Sequence, residues 1–236
     1  MRINKYLALC QIASRRKCDE LIKNGEITVN GMVCTTLGVN INEKKDKVLY
    51  KGKEIKPCKE FIYIKLHKPK GYICSSRDDR DRKTVFDLLE IPEGKRLFSV
   101  GRLDYDTEGL LILTNDGDFA NLIIHPSSSI EKKYIVKIEG SILESELAVL
   151  RAGVVIDGVR FPKCKVELLE FSNNTSRLEV TINEGLNRQI RRMFEAISKN
   201  IVLLKRIQIG SVKLGGLKRG TYRDLTEREL LSFREN

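Results

Sequence analysis

The chain has 236 residues, enough for one large domain or a small one joined to a medium one, and 41% hydrophobic content argues against global disorder. No apolar run reaches the length of a membrane span, and the opening Met1-Arg2-Ile3-Asn4-Lys5 lacks a secretory apolar segment, so the cytoplasm is the expected compartment. The net charge of +11 is uneven: residues 1–59 hold 13 basic against 6 acidic residues, a net of +7, which points to an N-terminal polyanion-binding module, nucleic acid before membrane.

Six cysteines (Cys10, Cys18, Cys34, Cys58, Cys74, Cys164) form no C-x-x-C pair, and only His67 and His125 could assist them. A metal site is therefore not expected, and reduced cysteines, several of them buried, are the simpler account.

Ile3, Tyr6, Leu7 and Cys10 fall at helical spacing, and Ser14 can cap a second helix from Arg15 to Asn24, ended by Gly25. A hairpin through Asn30-Gly31 follows, and Val39, Ile41, Val48, Tyr50 and Ile55 extend a small sheet. Arg15, Arg16, Lys17 and Lys23 cluster at the second helix, as an RNA contact or a solvated face. The order Arg2-Ile3-Asn4-Lys5-Tyr6-Leu7, Ser14-Arg15-Arg16, Gly25, Val29-Asn30-Gly31, Gly38 and Gly52 resembles the S-four-like RNA-binding domain. That resemblance implies two helices against a small sheet, over residues 1–58.

Lys56-Pro57-Cys58-Lys59-Glu60 reads as a linker to a second domain, 61–236. Its first strand, Phe61 to Leu66, leads to Lys68-Pro69-Lys70-Gly71, where Lys68 and Lys70 suit either a solvated turn or an RNA contact. The polar segment Ser75 to Lys83 reads as an exposed, mobile loop, and Thr84 can cap a short helix, Val85 to Leu89. Strands Leu97–Val100 and Leu110–Leu113 flank a polar loop holding Arg102, Asp104, Asp106 and Glu108. Asp116 can cap a helix over Asp118–Ile124.

Further elements follow: a strand at Tyr134–Ile138, a helix at Glu144–Leu150, and a hairpin over 154–161. Strands at 163–171 and 177–182 come next. A helix from Asn187 to Lys199 turns Ile190, Met193, Phe194 and Ile197 to the core and leaves Arg188, Arg191 and Arg192 on the other side or its margin. A strand at Ile201–Ile209 and a terminal helix at Thr226–Phe233 complete an α+β reading.

Gly101-Arg102-Leu103-Asp104 with Thr107, Gly109-Leu110-Leu111 and Thr114-Asn115-Asp116-Gly117 resembles the central motif of ribosomal RNA pseudouridine synthases, in the RsuA/RluB-like branch. Lys68-Pro69-Lys70-Gly71, Lys132-Lys133-Tyr134, Glu184-Gly185, Asn187 through Met193, and Leu204-Lys205-Arg206 resemble that family's other segments in the same order. The resemblance covers nearly the whole chain.

It implies a pseudouridine-synthase-like domain with a mainly antiparallel sheet flanked by helices. It also implies ribosomal RNA as partner, no metal or small-molecule cofactor, no membrane, and a monomer. Asp104 matches the catalytic carboxylate, which acts as nucleophile or as the base at C2′. Tyr134 matches the aromatic against the flipped uracil. Arg191 matches the basic partner of the carboxylate, with Arg188 and Arg192 as neighbours that could take its place or contact RNA. Arg102 matches the residue filling the space left by the flipped nucleotide, with phosphate contact as its competing role. Asp106, Glu108 and Asp116 are expected in turn, surface and cap positions.

The segments look more like the large-subunit enzymes than the small-subunit one. The alternatives are a small-subunit target or a non-catalytic ribosome-assembly factor on the same fold. A glycoside hydrolase built on the acidic loop is disfavoured by the lack of tryptophan and the basic charge.

Overall fold

The structure is a computed structural model and describes residues 1–75, 78 and 80–234. The chain forms two compact units: residues 1–62 with 91–97 and 115–117, and residues 63–90, 98–114 and 118 onward.

In the first unit α1 (Ile3–Leu9) and α2 (Arg15–Lys23) precede β1 (Ile27–Val29), β2 (Met32–Val33), β3 (Val48–Tyr50) and β4 (Lys53–Glu54). The strands form an antiparallel sheet in the order β2-β1-β3-β4. Local chemistry sets the boundaries. The Ser14 side chain accepts the Lys17 N–H at 3.2 Å, which meets one of the donors a helix start leaves open. Asn30 and Gly31 take φ of 52° and 83°, as a tight two-residue hairpin turn needs.

Ile3, Leu7, Ile22 and Ile27 are fully buried in one small core that also holds Ile41 and Val48. Val39 and Ile41 supply packing from outside the strands. Arg15, Arg16, Lys17 and Lys23 are all exposed, with Lys17 paired to Glu20 at 2.5 Å. Of the six free cysteines only Cys18 is buried; the other five are half-buried, fewer in the interior than the composition led us to expect.

The second unit contains β5 (Tyr63–Lys68), β6 (Phe98–Val100), β7 (Glu108–Thr114), α3 (Gly117–Ile124) and β8 (Lys132–Glu139). After these come α4 (Glu144–Ala152), the hairpin β9 (Val154–Ile156) and β10 (Val159–Phe161), β11 (Lys165–Ser172) and β12 (Thr175–Ile182). The last elements are α5 (Gln189–Glu195), β13 (Ile201–Ile209), β14 (Val212–Lys213), β15 (Tyr222–Asp224) and α6 (Glu227–Arg234). The large sheet runs β11-β12-β8-β13-β7-β5-β15, with β6 on β7 and β14 on β13. All its pairings are antiparallel except β13 with β7.

Two hydrophobic cores serve this sheet. One gathers Val136, Ile138, Leu178 and Leu204 with α4 and α5 residues such as Leu150 and Phe194. The other gathers Leu110, Ile112 and Ile209 with Phe119 of α3 and Phe233 of α6. Each fully buried large aliphatic or aromatic side chain contributes roughly 1.5–3 kcal/mol, so these cores stabilise the strands bounding the site. All seven residues of β7 are buried, Glu108 among them.

Several expectations need correction. Glu108 is not on the surface: it is 3% exposed and pairs with Arg219 at 3.2 Å. The helix expected over 187–199 is only Gln189–Glu195. Arg188 takes a left-handed φ of 48° and Ser198 one of 56°, which stops the helix at both ends. In the polar segment 75–83, Ser76, Arg77 and Asp79 lie outside the described residues, so the expected mobility of that loop falls partly there; Asp78 and Arg82 pair at 2.6 Å, which holds the Asp78 carboxyl down at about 2.

Candidate active site

The loop between β6 and β7 carries the principal carboxylate. Gly101 enters it with φ 73°, and the Thr107 N–H closes a turn on the Asp104 carbonyl at 3.1 Å. Lys68 locks this turn from below. Its side chain is 0% exposed, and Nζ donates to the carbonyls of Asp104 (2.9 Å), Thr107 (2.8 Å) and Pro69 (3.1 Å). Burial pushes the Lys68 ammonium below its usual value, opposed by Cys74, Asp104 and Asp106 nearby. Lys68 is therefore not an RNA contact: its three donors are spent on the loop backbone. Lys70 is exposed, and its Nζ donates to the Val202 carbonyl at 3.2 Å.

Asp104 keeps about a third of its side chain exposed, and three further charges meet around it. Arg191 comes from α5 and is 8% exposed, so it faces inward rather than lying at the margin of the helix's outer side. Its Nε lies 3.8 Å from Asp104 Oδ2, whereas its Nη2 lies 3.0 Å from Asp106 Oδ2. The same Nη2 reaches the Asp106 carbonyl and Thr107 Oγ1, both at 3.3 Å. Arg188 Nη1 sits 3.9 Å from Asp104 Oδ2 and 3.9 Å from Asp106 Oδ1. Arg192 points elsewhere: it pairs with Asp157 at 3.0 Å and lies over the Phe161 ring at 4.8 Å.

A cavity of about 190 Å³ opens beside Asp104, and its walls draw on both cores: Leu103, Tyr134 and Leu204 from one, Val100, Ile123 and Ile209 from the other. Tyr134 is 6% exposed and lines the cavity; Arg102, exposed, and Arg188 also border it. The structure thus brings Asp104, Arg102, Tyr134 and Arg188 to one cavity, with Arg191 against the loop behind Asp104. It leaves Arg192 outside.

Two cations that the sequence placed in family-like segments but to which it gave no role also line it, Lys132 and Arg206. Lys132 Nζ donates to the carbonyls of Ile130 (2.9 Å) and Asn183 (2.7 Å). Burial pushes it down to about 8, with Arg206 adding to the effect and Glu184 opposing it. The signal for Arg206 is its place in the Leu204-Lys205-Arg206 segment; only the fold buries it. Among the described residues no group of His, Cys, Asp and Glu could hold a metal ion.

The family model described as RNA pseudouridylate synthase matches residues 62–196, which include every residue of the Asp104 cluster. This chain belongs to the RNA pseudouridylate synthase family. A second model, the S4 domain, matches residues 1–51. The chain is 42% identical over 236 residues to the ribosomal large subunit pseudouridine synthase B of Bacillus subtilis (strain 168), covering 99% of this chain and 95% of that protein. It is 41% identical over 233 residues to an uncharacterized RNA pseudouridine synthase of Aquifex aeolicus (strain VF5), covering 98% and 92%.

A crystal structure of a pseudouridylate synthase superposes with a TM-score of 0.72 at 30% identity, over 99% of both chains. As a pseudouridine synthase, the protein is an isomerase of RNA. No described helix is long and apolar enough to cross a membrane.

Proposed function

We propose that this pseudouridine synthase isomerises a specific uridine of large-subunit ribosomal RNA, with Asp104 as its catalytic carboxylate. The observation that carries the reading is the placement of Asp104: a backbone-locked, partly exposed carboxylate at a cavity that also presents an aromatic ring. The reaction breaks the N1–C1′ bond, turns the detached base, and joins C5 to C1′. C5 loses a proton and N1 gains one, so atoms balance without a redox partner, and a single carboxylate beside C1′ and C2′ serves it, as nucleophile or as base.

Tyr134 offers its ring to a uracil turned out of its stack, since chemistry at C1′ is blocked within structured RNA. Arg191 and Arg188 supply positive charge beside Asp104, and Arg102 at the rim takes the vacated space or a phosphate. The N-terminal module, residues 1–58, grips structured RNA through Arg15, Arg16, Lys17 and Lys23, and residues 61–236 form the catalytic domain. Lys70 and Arg192 extend the basic surface for RNA. The large-subunit target rests on the name of the Bacillus subtilis relative. The enzyme works in the cytoplasm as a monomer without a cofactor.

The decisive experiment maps pseudouridines in ribosomal RNA from cells with and without this gene, and from cells carrying only Asp104→Ala. One large-subunit pseudouridine should vanish in both altered strains. An unchanged map would overturn the assignment, and a loss confined to small-subunit RNA would move the target.

A further inference from the structure

Arg206 on β13 pairs directly with Tyr134 on the antiparallel neighbour β8, and directly opposed residues share a face of the sheet. Lys132, two residues before Tyr134, projects from that same face, and all three line the cavity beside Asp104. Arg206 is only 3% exposed. Its Nε donates to the Leu110 carbonyl at 2.7 Å, which fixes the guanidinium between β13 and β7.

Its Nη2 is buried and has no hydrogen-bond partner among the described residues. A buried donor on a charged group is costly to leave unmet, so an acceptor entering the cavity gains a partner already in place. Lys132 and Arg206 line the same cavity, and burial first, then Arg206, lowers the proton affinity of Lys132.

We propose that Arg206, with Lys132 beside it, reads the base: its Nη2 donates to an exocyclic carbonyl of the uracil lying against Tyr134. This rests on the functional reading above and assigns a specificity role within the same cavity. Uracil suits one fixed donor unusually well. The axis through N3 and C6 exchanges N1 with C5 and also exchanges O2 with O4. A base that turns about this axis between bond breaking and bond making presents O4 to Arg206 before the turn and O2 after it. One guanidinium thus holds the detached base in both orientations. Cytosine places an amino group at position 4, and a donor there would face a donor.

The test uses the full-length enzyme and a fragment of the ribosomal RNA around the mapped uridine, made with uridine or 4-thiouridine at that position. Sulfur is the poorer acceptor. Arg206→Met should lower kcat/KM for the uridine fragment by roughly 100-fold while thermal melting stays within a few degrees, and Arg206→Lys should recover roughly tenfold of the loss. The 4-thio substitution should cost the wild-type enzyme roughly tenfold but cost Arg206→Met less than about twofold, because the donor it weakens is already absent there.

Activity of Arg206→Met within about threefold of wild type, or an equal 4-thio penalty in both enzymes, overturns the inference. Should Arg206→Met fail to fold, Arg206→Lys carries the test, and a kcat/KM within about threefold of wild type there overturns the inference. A wild-type enzyme that forms no pseudouridine in the uridine fragment defeats the functional reading itself and this inference with it.

Discussion

Arg191 holds Asp106 more closely than Asp104, with Nη2 at 3.0 Å from Asp106 Oδ2 and Nε at 3.8 Å from Asp104 Oδ2. Asp106 sits two residues beyond Asp104, and the same arginine nitrogen also reaches its carbonyl and the Thr107 hydroxyl. Arg191 is thereby anchored to the loop itself and stands beside Asp104 without occupying its oxygens at contact distance. The fork geometry of a guanidinium makes this possible; an ammonium has one nitrogen and cannot reach both carboxylates in this way. Arg191→Lys should therefore lower kcat by roughly 10- to 100-fold with a smaller change in KM, as single-turnover kinetics on the RNA fragment would record.

Asp104→Asn should abolish pseudouridine formation while RNA affinity stays within about threefold, because only the chemical step needs the carboxylate. Chromatography of digested RNA for the product and filter binding for affinity separate the two effects. Retained turnover would remove Asp104 from the chemistry.

Lys68→Met tests the support beneath the loop. The substitution keeps the length of the side chain but leaves three carbonyls without their donor, those of Pro69, Asp104 and Thr107. Unmet buried acceptors cost roughly 1–3 kcal/mol each, partly offset by removing a buried charge, so a net loss of about 2–5 kcal/mol is expected in urea unfolding. RNA affinity should not fall with it, since the ammonium is 0% exposed.

Gly109→Ala should disrupt the site from a distance. Gly109 has φ of 114°, and a Cβ there would lie 2.2 Å from the Arg206 carbonyl oxygen. The backbones of β7 and β13 approach at the parallel pair Arg206 and Gly109, which only glycine permits. Loss of the folded form, or a large loss of melting temperature, is the expected result in a thermal scan.

Acid stability should depend on Glu229. Burial alone would raise its pKa, but Arg223, the Thr226 N–H and Lys65 outweigh that and bring it down to about 2. A folded pKa below the unfolded one means the stabilisation is present above the unfolded value and lost as pH falls toward the folded one. Stability should thus decline from about pH 4.5 to about pH 2, by at most about 3 kcal/mol from this group, and Glu229→Gln should flatten that part of the curve. Urea midpoints at several acidic pH values read the difference.

The N-terminal surface predicts salt dependence. Replacing Arg15, Arg16 and Lys23 together by alanine should weaken RNA binding and make the plot of log affinity against log salt shallower by about two to three, roughly one for each phosphate that is no longer neutralised. An unchanged slope would place the RNA elsewhere.

Much of this protein is written in short stretches of its sequence. The Ser14 cap, the Asn30-Gly31 and Asp157-Gly158 turns, and the alternation that makes β8 are interactions spanning a few residues, so local reading suffices for them. The Asp104 motif and the basic bias of residues 1–59 are equally local.

Which charged residues turn inward depended on partners far along the chain. Lys68 reads as a surface lysine until the turn at 104–107 is folded over it. Arg191 lies one step from Ile190 on α5, outside the apolar stripe, yet the loop carrying Asp106 and Thr107 covers that margin as well. Arg192, the next residue, escapes to Asp157. Glu108 and Arg206 are buried because β7 and β13 are interior strands of one sheet, a pairing across nearly a hundred residues. Helical and strand periodicity specify which side chains share a face; only the packing of distant elements decides how much of that face is covered, and by what.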